Sequence, residues 1–420
     1  MRTILMMAAM LLLSAGLSAQ TSFDEVRADL NKAGGVYYAY PEPTSSLTPA
    51  PKGYVPFYIS HYARHGSRYL LGDRDYKWII DVMSQADSCR VLTTLGRDVL
   101  TRLDRLWPYV QGRGGDLTPV GVNQHKRIAE RMFRNFPEVF KGKKIISARS
   151  TIVPRCAMSM VACGDELKSL APQLSINYEM SGKYMDYLNY HTAESNEFTD
   201  GNNGPWVGEY KKFEAEHVNP HRLISTLFND EEYTRRHFDA ASLMWGLYWI
   251  AVDMQDMNTD ISFYDIFEPR ELFDLWQCVN YRFYVGNANH KDGNGIVVAN
   301  ARNLLRNIIY SADEAIKSGD VAATLRFGHD GNVIPLLSIL HIENYDVSVS
   351  KPEEVYKVWS DFKAAPMAAN IQLVFYKNRE DDILVKFLHN EREVHILVKT
   401  NIFPYYHWKE VREYYINEIK

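Results

Sequence analysis

The feature that most constrains this chain is a short apolar run, residues 55–59, that leads into a turn rich in charged side chains. The run has the length and composition of a buried β-strand. A helical pattern begins at about residue 75, so the segment predicts a strand, a turn and a helix in that order. Open α/β sheets are built from such units and bind ligands at the carboxyl ends of their strands. The turn is therefore a candidate ligand site.

Two arginines flank one histidine in this turn, which reads Arg64, His65, Gly66, Ser67, Arg68. Each guanidinium presents a planar fork of donors, so the pair can bind a doubly charged oxyanion. Positive neighbours hold His65 neutral, which leaves one ring nitrogen free as a nucleophile. Gly66 lets the backbone approach the anion without a Cβ in the way. These residues predict phosphoryl transfer with histidine as the attacking group; the alternative is a basic surface turn with a solvated histidine.

A metal site is the competing interpretation of the same segment. His61 and His65 have the H-x3-H spacing that suits zinc when both lie on one face of a helix. A strand end followed by a turn does not give them a common face. Arg64 and Arg68 would also repel a divalent cation. The sequence therefore favours chemistry without a metal.

An Arg-His-Gly-Ser-Arg sequence after an apolar strand resembles the signature of the histidine phosphatase superfamily, acid phosphatase branch. That branch contains the histidine acid phosphatases, the histidine-type phytases, the periplasmic glucose-1-phosphatases and the multiple inositol polyphosphate phosphatases. Its members also carry a third arginine and a His-Asp pair further along the chain. This sequence has a candidate for each.

Arg155 is the candidate for the third arginine. A strand is predicted over residues 144–149 and a helix over 156–170, so Arg155 lies where a strand-to-helix connection reaches the sheet edge. In the family an Arg-Ser-Thr stretch leads to this arginine, and here that stretch is 149–151. The family often has Asp before the arginine and Thr after it, whereas this chain has Pro154 and Cys156.

His329 and Asp330 are the candidate His-Asp pair. They follow a buried strand predicted over 321–327 and precede a helix predicted over 333–342. Glycines at 328 and 331 frame the pair. This is a second strand, turn and helix that presents polar groups at the sheet edge.

The resemblance implies a role for each of these side chains. Four of them would hold the phosphate of a monoester: Arg64, Arg68, Arg155 and His329. His65 would attack phosphorus and form a phosphohistidine. Asp330 would protonate the departing alkoxide and then help to activate the hydrolytic water. No metal or organic cofactor is implied.

The substrate implied by the resemblance is a small-molecule phosphate monoester. Exported members of the branch act on phytate and lower inositol phosphates, on sugar phosphates, or broadly. The inositol polyphosphate phosphatases usually carry His-Ala-Glu where this chain has His329, Asp330 and Gly331, which favours an acid phosphatase or phytase arrangement. Arg74 and Lys77 are candidates for contacts to extra phosphates, the alternative being a solvated helix start.

The predicted fold is α/β: a doubly wound mixed sheet with helices on both faces and a mainly helical inserted subdomain. The core is expected over residues 20–179 and 321–420, and the helical insertion over 180–320, because about 400 residues exceed one ~150-residue domain. Predicted helices of the insertion are 206–228, 231–256, 269–285 and 295–317. Three of its tryptophans, Trp245, Trp249 and Trp276, are predicted to be core. Three further strands are expected at 371–377, 382–388 and 393–398.

Residues 1–19 have the pattern of a secretory signal. Arg2 supplies the positive charge, residues 4–13 form the apolar stretch, and residues 17–19 end in two small residues, as is typical of a cleavage site. No later apolar run approaches the ~20 residues that span a bilayer. We expect an exported protein that is not in the membrane once the signal is cleaved, and a bacterial periplasm as its location.

The charge of the chain argues against nucleic acid as a partner. The formal net charge is −5 at pH 7, and an acidic chain is a poor general binder of nucleic acid. An anionic substrate must then be attracted by a local basic pocket. Two alternatives to hydrolysis remain: a phosphohistidine mutase, and a phosphate-ligand binder on an inactive scaffold.

Overall fold

The computed structural model describes residues 21–420. The predicted secretory signal lies outside the described residues. One mixed sheet runs through the molecule in the order β3-β2-β4-β1-β5-β6-β7, and β8 pairs with β6. The strands are β1 (Val55–Arg64), β2 (Ile145–Ser150), β3 (Ser175–Met180), β4 (Val321–Gly328), β5 (Asn370–Lys377), β6 (Ile383–His389), β7 (Arg392–Glu393) and β8 (Tyr405–His407).

Helices connect and cover these strands. The α-helices are α1 (Phe23–Ala28), α2 (Asp73–Ser88), α3 (Thr94–Val110), α4 (Pro119–Asn135), α5 (Pro154–Leu170), α6 (Met185–Leu188), α7 (Ala193–Phe198), α8 (Val207–His217), α9 (His221–Leu227), α10 (Glu231–His237), α11 (Ala240–Asp253), α12 (Pro269–Asn287), α13 (Arg302–Ser318), α14 (Asp330–Ile339), α15 (Pro352–Val358), α16 (Asp361–Ala364) and α17 (Trp408–Glu418). Short 3-10 turns lie at Leu30–Tyr37, Pro137–Phe140, Gly182–Tyr184, Met254–Asp256, Tyr264–Ile266, Lys291–Gly293 and Val298–Ala301.

The pairing of β1 decides where the turn after it lies. β4 pairs with β1 in parallel, with Arg64 opposite Gly328. On the other side β5 is antiparallel to β1, with Ala63 opposite Asn370. The carboxyl ends of β1 and β4 and the start of β5 therefore meet at one edge of the sheet.

Both faces of the sheet are covered, as predicted. Side chains alternate between the two faces of a strand, and in β1 Tyr58 and Tyr62 belong to one core cluster while Ile59 and Ala63 belong to another. The first cluster includes side chains of α13, α14 and α17. The second includes side chains of α4 and α5. The predicted α/β class with a helical insertion is confirmed.

The segment predicted as an insertion shares a core with the rest of the chain. One apolar cluster contains side chains of α2 and α3 together with those of α9, α11 and α12. Close packing of α11 on α2 is visible at Gly246, where an added Cβ would lie 2.3 Å from Ile79 Cδ1. The division into 20–179, 180–320 and 321–420 stays a prediction.

Two of the predicted helices are broken into shorter ones. Residues 206–228 form α8 and α9, separated at 218–220, where Pro220 lacks the N–H that a continuous helix needs. Residues 231–256 form α10 and α11, because Asp239 accepts a hydrogen bond from Ser242 N at 2.7 Å and caps a new helix.

The predicted strand at 393–398 is wrong beyond its first residue. β7 ends at Glu393. A longer strand would have to pair with the middle of β6, but there β8 pairs with Leu384, Val385 and Lys386. The chain leaves the sheet and returns as β8, a strand that the sequence pattern did not indicate.

All four cysteines lie within residues 21–420 and none is in a disulfide. Cys156, Cys163 and Cys278 are buried and Cys89 is exposed. None of the helices in the described part of the chain is both long and apolar enough to cross a bilayer.

Candidate active site

The two polar turns predicted from the sequence lie side by side. Because β1 and β4 are neighbours in register, His65 N donates to Gly328 O at 3.0 Å. The rings of His65 and His329 face each other edge to face, with centroids 5.6 Å apart. The site is thus assembled from segments more than 260 residues apart along the chain.

His65 is held neutral with one nitrogen available. Its Nδ1 lies 2.9 Å from Gly66 O, and since a carbonyl only accepts, Nδ1 carries the proton and Nε2 has the free lone pair. Burial lowers the pKa of His65 well below its usual range, and the charges of Arg64, Arg155 and Arg68 lower it further. A neutral imidazole with a free Nε2 is competent as a nucleophile.

Arg64 is fully buried and fixed on three sides. Its Nη1 donates to Ala365 O at 2.8 Å and to Val36 O. Its Nη2 lies 2.9 Å from Asp330 Oδ2. A buried guanidinium is costly unless paired and hydrogen-bonded, and these partners supply both.

Arg68 is positioned by an aromatic neighbour. Its Nη2 donates to Tyr37 OH at 3.0 Å and its Nη1 to Tyr69 O at 2.8 Å. Its guanidinium carbon lies 4.6 Å from the centre of the Tyr37 ring, within the range of a cation–π contact.

Arg155 lies in the first turn of α5, directly after Pro154. It is the least constrained of the three arginines, with one hydrogen bond of 3.4 Å from Nη1 to Gly115 O. Its charge nevertheless acts on both His65 and His329. Arg155 therefore lies near enough to both histidines for its charge to lower their pKa values.

The three arginines share one feature. The buried Nε atoms of Arg64, Arg68 and Arg155 have no hydrogen-bond acceptor among the described residues. Buried donors are nearly always paired in proteins. Three such donors around a neutral histidine form a natural site for the oxygens of a phosphate.

His329 and Asp330 start α14 at the same edge. His329 Nε2 lies 3.3 Å from Thr151 Oγ1 and 3.7 Å from Cys156 Sγ. Burial lowers the pKa of His329 to about 4, so its ring is neutral at neutral pH. Cys156 occupies the position where the family often has threonine, and its thiol contacts His329 directly.

Asp330 is ionised in this arrangement. Burial favours its neutral form, but the charge of Arg64 and the N–H of Gly331 outweigh burial and lower the pKa of Asp330. One carboxylate oxygen pairs with Arg64 and the other accepts from Gly331 N at 2.8 Å.

Gly66 has a different environment from the one expected. An added Cβ would lie 2.5 Å from Gly121 O and 2.7 Å from Gly121 Cα. The signature turn therefore packs directly on the first turn of α4, whose N-cap Thr118 accepts from Gly121 N at 3.2 Å. Close backbone packing alone requires a glycine here.

Sequence reasoning missed a buried polar network beneath the turn. Ser67 Oγ donates to Asp256 Oδ1 at 2.5 Å, and Gln124 Oε1 accepts from Ser67 N at 2.9 Å. Tyr76 OH donates to Asp253 Oδ2 and accepts from Leu70 N. Burial raises the pKa of both aspartates. No motif marks these residues; two acidic residues in an apolar stretch were the only sequence signal.

A second missed element precedes β5. Ala368 N donates to His65 O at 2.9 Å and Arg64 N donates to Ala369 O at 2.8 Å. Ala368 has a positive φ of 57°, unusual for a residue with a side chain. These backbone contacts, with Ala365 O, fix the signature turn and could not be read from residue types.

A cavity of about 470 Å³ opens over the site, with Arg68 and Asp330 in its wall. Trp245 and Trp249 of α11 also line it. Of the three tryptophans predicted to be core, Trp276 is fully buried. Trp245 and Trp249 pack against the apolar core but are only half-buried, so for them the prediction is confirmed in part. α11 is apolar nearly all round, and periodicity does not tell which of its faces is covered.

Arg74 and Lys77 lie outside this cavity. Both are exposed on the first turns of α2, and Lys77 pairs with Asp81 one turn along the helix. Contact of either with a substrate stays a prediction.

Comparison with known proteins identifies the family of the chain. A profile of the histidine phosphatase superfamily (branch 2) matches residues 63–390, well over half of the chain. No curated protein matches the chain significantly.

Solved structures share the fold. The multiple inositol polyphosphate phosphatase of Bifidobacterium longum, in complex with inositol hexasulfate, has a TM-score of 0.77 at 18% identity, over 93% of this chain and 98% of that one. The phytase of D. castellii has a TM-score of 0.72 at 14% identity, over 93% and 85%. The apo phytase of Hafnia alvei has a TM-score of 0.54 at 13% identity, over 89% and 98%.

Motifs, fold and profile thus point to one family. The chain belongs to the histidine phosphatase superfamily (branch 2), and its class is that of the phosphoric monoester hydrolases.

Proposed function

We propose that this chain is an exported phosphomonoesterase of the acid phosphatase type that works through a phosphohistidine. One observation carries the proposal. Three arginines with unpartnered buried Nε donors converge on a buried, neutral histidine with a free Nε2. Donors for a phosphate and a nucleophile for phosphorus are thereby present at one place.

In the first step Nε2 of His65 attacks phosphorus, the N–P bond forms and the ester P–O bond breaks. The arginines hold the equatorial oxygens and stabilise the charge that develops on them. His329, neutral beside the site, contributes a further hydrogen bond to the phosphate. The departing alkoxide takes a proton from Asp330.

In the second step water attacks the phosphohistidine. The water oxygen bonds to phosphorus, the N–P bond breaks, and the water proton passes to Asp330. Inorganic phosphate leaves and His65 returns to its neutral form.

Asp330 must hold a proton for the first step, although it is ionised in the resting site. The incoming phosphate brings negative charge next to Arg64 and Asp330. A nearby like charge disfavours the carboxylate and raises its pKa. Substrate binding therefore loosens the Arg64–Asp330 pair and favours the acid form.

For the substrate we propose phosphate monoesters, with inositol polyphosphates including phytate, or sugar phosphates, as the expected classes. Support for a ring-shaped alcohol comes from the Bifidobacterium longum relative, whose structure holds inositol hexasulfate. Export, with the bacterial periplasm as location, is supported by the leader pattern of residues 1–19.

The test is Asp330→Asn assayed for phosphate release on two substrates. An alkyl phosphate has a poor leaving group and needs protonation, so we expect a loss in kcat on the order of 100-fold or more. p-Nitrophenyl phosphate has a good leaving group and should lose much less. Asp320→Asn, at the opposite end of β4 on an exposed carboxylate, should match wild type on both.

Equal losses on the alkyl and aryl substrates would contradict the role of Asp330. Absence of phosphate release by the wild-type protein from every monoester tested would overturn the proposed function as a whole.

A further inference from the structure

Beyond the phosphate-binding groups, the site continues into a tryptophan-lined groove. The cavity of about 470 Å³ that holds Arg68 and Asp330 adjoins a groove of about 360 Å³. The two share four lining side chains: Tyr37, Leu71, Trp245 and Trp249. Trp78 and Asp75 of α2 line the far end.

The aromatic rings in this wall are ordered against each other. Trp245 and Trp249 lie nearly parallel, at 20° with centroids 6.1 Å apart, and Tyr37 lies 5.4 Å from Trp249. Both tryptophans are half-buried, so each keeps part of its indole facing the cavity. Tyr248 packs edge-on against both and fixes them from behind.

Tyr37 joins this wall to the phosphate-binding arginines. It accepts a hydrogen bond from Arg68 Nη2 at 3.0 Å, and the same guanidinium lies over its ring. When the phosphate of an ester binds at Arg68, the alcohol part of that ester therefore lies next to Tyr37, with Trp249 beyond it.

Charge in the walls is sparse and mixed. Besides Arg68, the cavity wall contains one other cationic side chain among the described residues, Arg282, and it also contains the carboxylate of Glu214. Asp75 adds a second carboxylate in the groove. Glu214 accepts from Tyr210 OH at 2.9 Å and so stays in place. Within these two walls one arginine faces two carboxylates, so the walls offer little positive charge for phosphates beyond the one being cleaved.

We propose that this groove is the leaving-group subsite and that it binds the ring of a monophosphate ester that carries few other charges. The inference rests on the proposed function and narrows its substrate class towards ring-bearing monophosphates such as hexose phosphates, and away from inositol hexakisphosphate. A pyranose and an aryl ring both meet this requirement. Each has a flat face that stacks on an indole, formed by C–H groups in the sugar and by π electrons in the aryl ring.

The experiment compares kcat/KM of three monophosphates: glucose 1-phosphate, phenyl phosphate and the ringless glycerol 3-phosphate. Trp249→Ala should lower the value for ring-bearing esters on the order of tenfold and leave glycerol 3-phosphate within about twofold. Trp249→Phe, which keeps a ring, should restore most of the loss. Trp107→Ala, a half-buried tryptophan on α3 outside both cavities, is the matched control.

The comparison of substrates distinguishes a subsite for a sugar ring from a subsite for an aryl ring. A loss confined to glucose 1-phosphate identifies a sugar subsite, and one confined to phenyl phosphate an aryl subsite; both support the groove. Trp245→Ala repeats the comparison if Trp249→Ala does not fold, as judged by circular dichroism.

Two results would overturn the inference while the protein remains a phosphatase. One is an equal effect of the tryptophan variants on ringless and ring-bearing esters. The other is a wild-type kcat/KM for inositol hexakisphosphate above that for glucose 1-phosphate. A wild-type protein inactive on all esters would instead refute the proposed function.

Discussion

Replacing Gly66 by alanine tests whether backbone packing behind the signature turn sets the geometry of the site. The added Cβ would meet Gly121 O at 2.5 Å, whereas ordinary contact begins at 3.4 Å. The atoms it meets are backbone, at the start of α4, and cannot rotate away as a side chain can. The turn must therefore move by ~1 Å relative to α4.

The size of the effect follows from that displacement. Overpacking of this kind costs about 1–3 kcal/mol of folding stability, which for a chain of this length lowers Tm by only a few degrees. The moved turn carries His65 and two of the three arginines. A misplacement of ~1 Å in a reacting group costs roughly 100-fold in rate, so activity should fall far more than stability.

The assay is kcat/KM for phosphate release, with Tm measured on the same samples. Gly121→Ala should behave alike, since its Cβ would lie 2.3 Å from Ser67 O, even though alanine is favoured over glycine in a helix by ~1 kcal/mol. Gly286→Ala in α12 is the control, because no heavy atom outside the local helix backbone lies within 4 Å of its Cβ. A Gly66→Ala protein within twofold of wild-type kcat/KM would refute the reasoning.

Two pH predictions follow from buried histidines. In the proposed mechanism His65 attacks as a neutral nucleophile, and its pKa lies well below the usual value. We therefore expect that kcat/KM, corrected for ionisation of the substrate, does not decline between pH 7 and pH 5; a decline with an apparent pKa near 6.5 would contradict this. Burial also lowers the pKa of His61 and of His125 to about 3, below their unfolded value of ~6.5. The unfolded chain then binds more protons in this window, so the free energy of unfolding should decrease as pH falls from 6.5 towards 3. Urea unfolding at pH 7 and pH 4.5 measures this free energy of unfolding, and its decrease between the two pH values should be smaller in the His125→Phe variant.

The parts of this molecule that the sequence predicted are those with local causes. Apolar runs followed by polar turns located β2 and β4 to within one residue at each end. They located the start of β1, but the strand continues five residues beyond the predicted end, so Arg64 is its last residue and not part of the turn. A buried strand is recognised by its apolar composition, and the turn after it is recognised by its charged residues. Since parallel strands end at one edge, the meeting of Arg64, Arg155 and His329 followed from three local patterns.

The rest depended on contacts across the chain. Asp253 and Asp256 lie beneath the signature turn only because α11 packs on α2, and nothing near them in sequence encodes that packing. Trp249 lies on a helix that is apolar on most sides, so only the packed structure shows which side faces the cavity. The short β7 likewise resulted from competition with β8 for the same edge of β6.

The position of β5 has a consequence for the synthesis of the protein. Arg64 is fixed by Ala365 O, and the backbone at Arg64 and His65 by residues 368 and 369. These partners lie some 300 residues after the turn that they fix. Until residues 365–369 have been translated, a nascent chain lacks these contacts to Arg64 and His65, so we expect it to have no phosphatase activity up to that point.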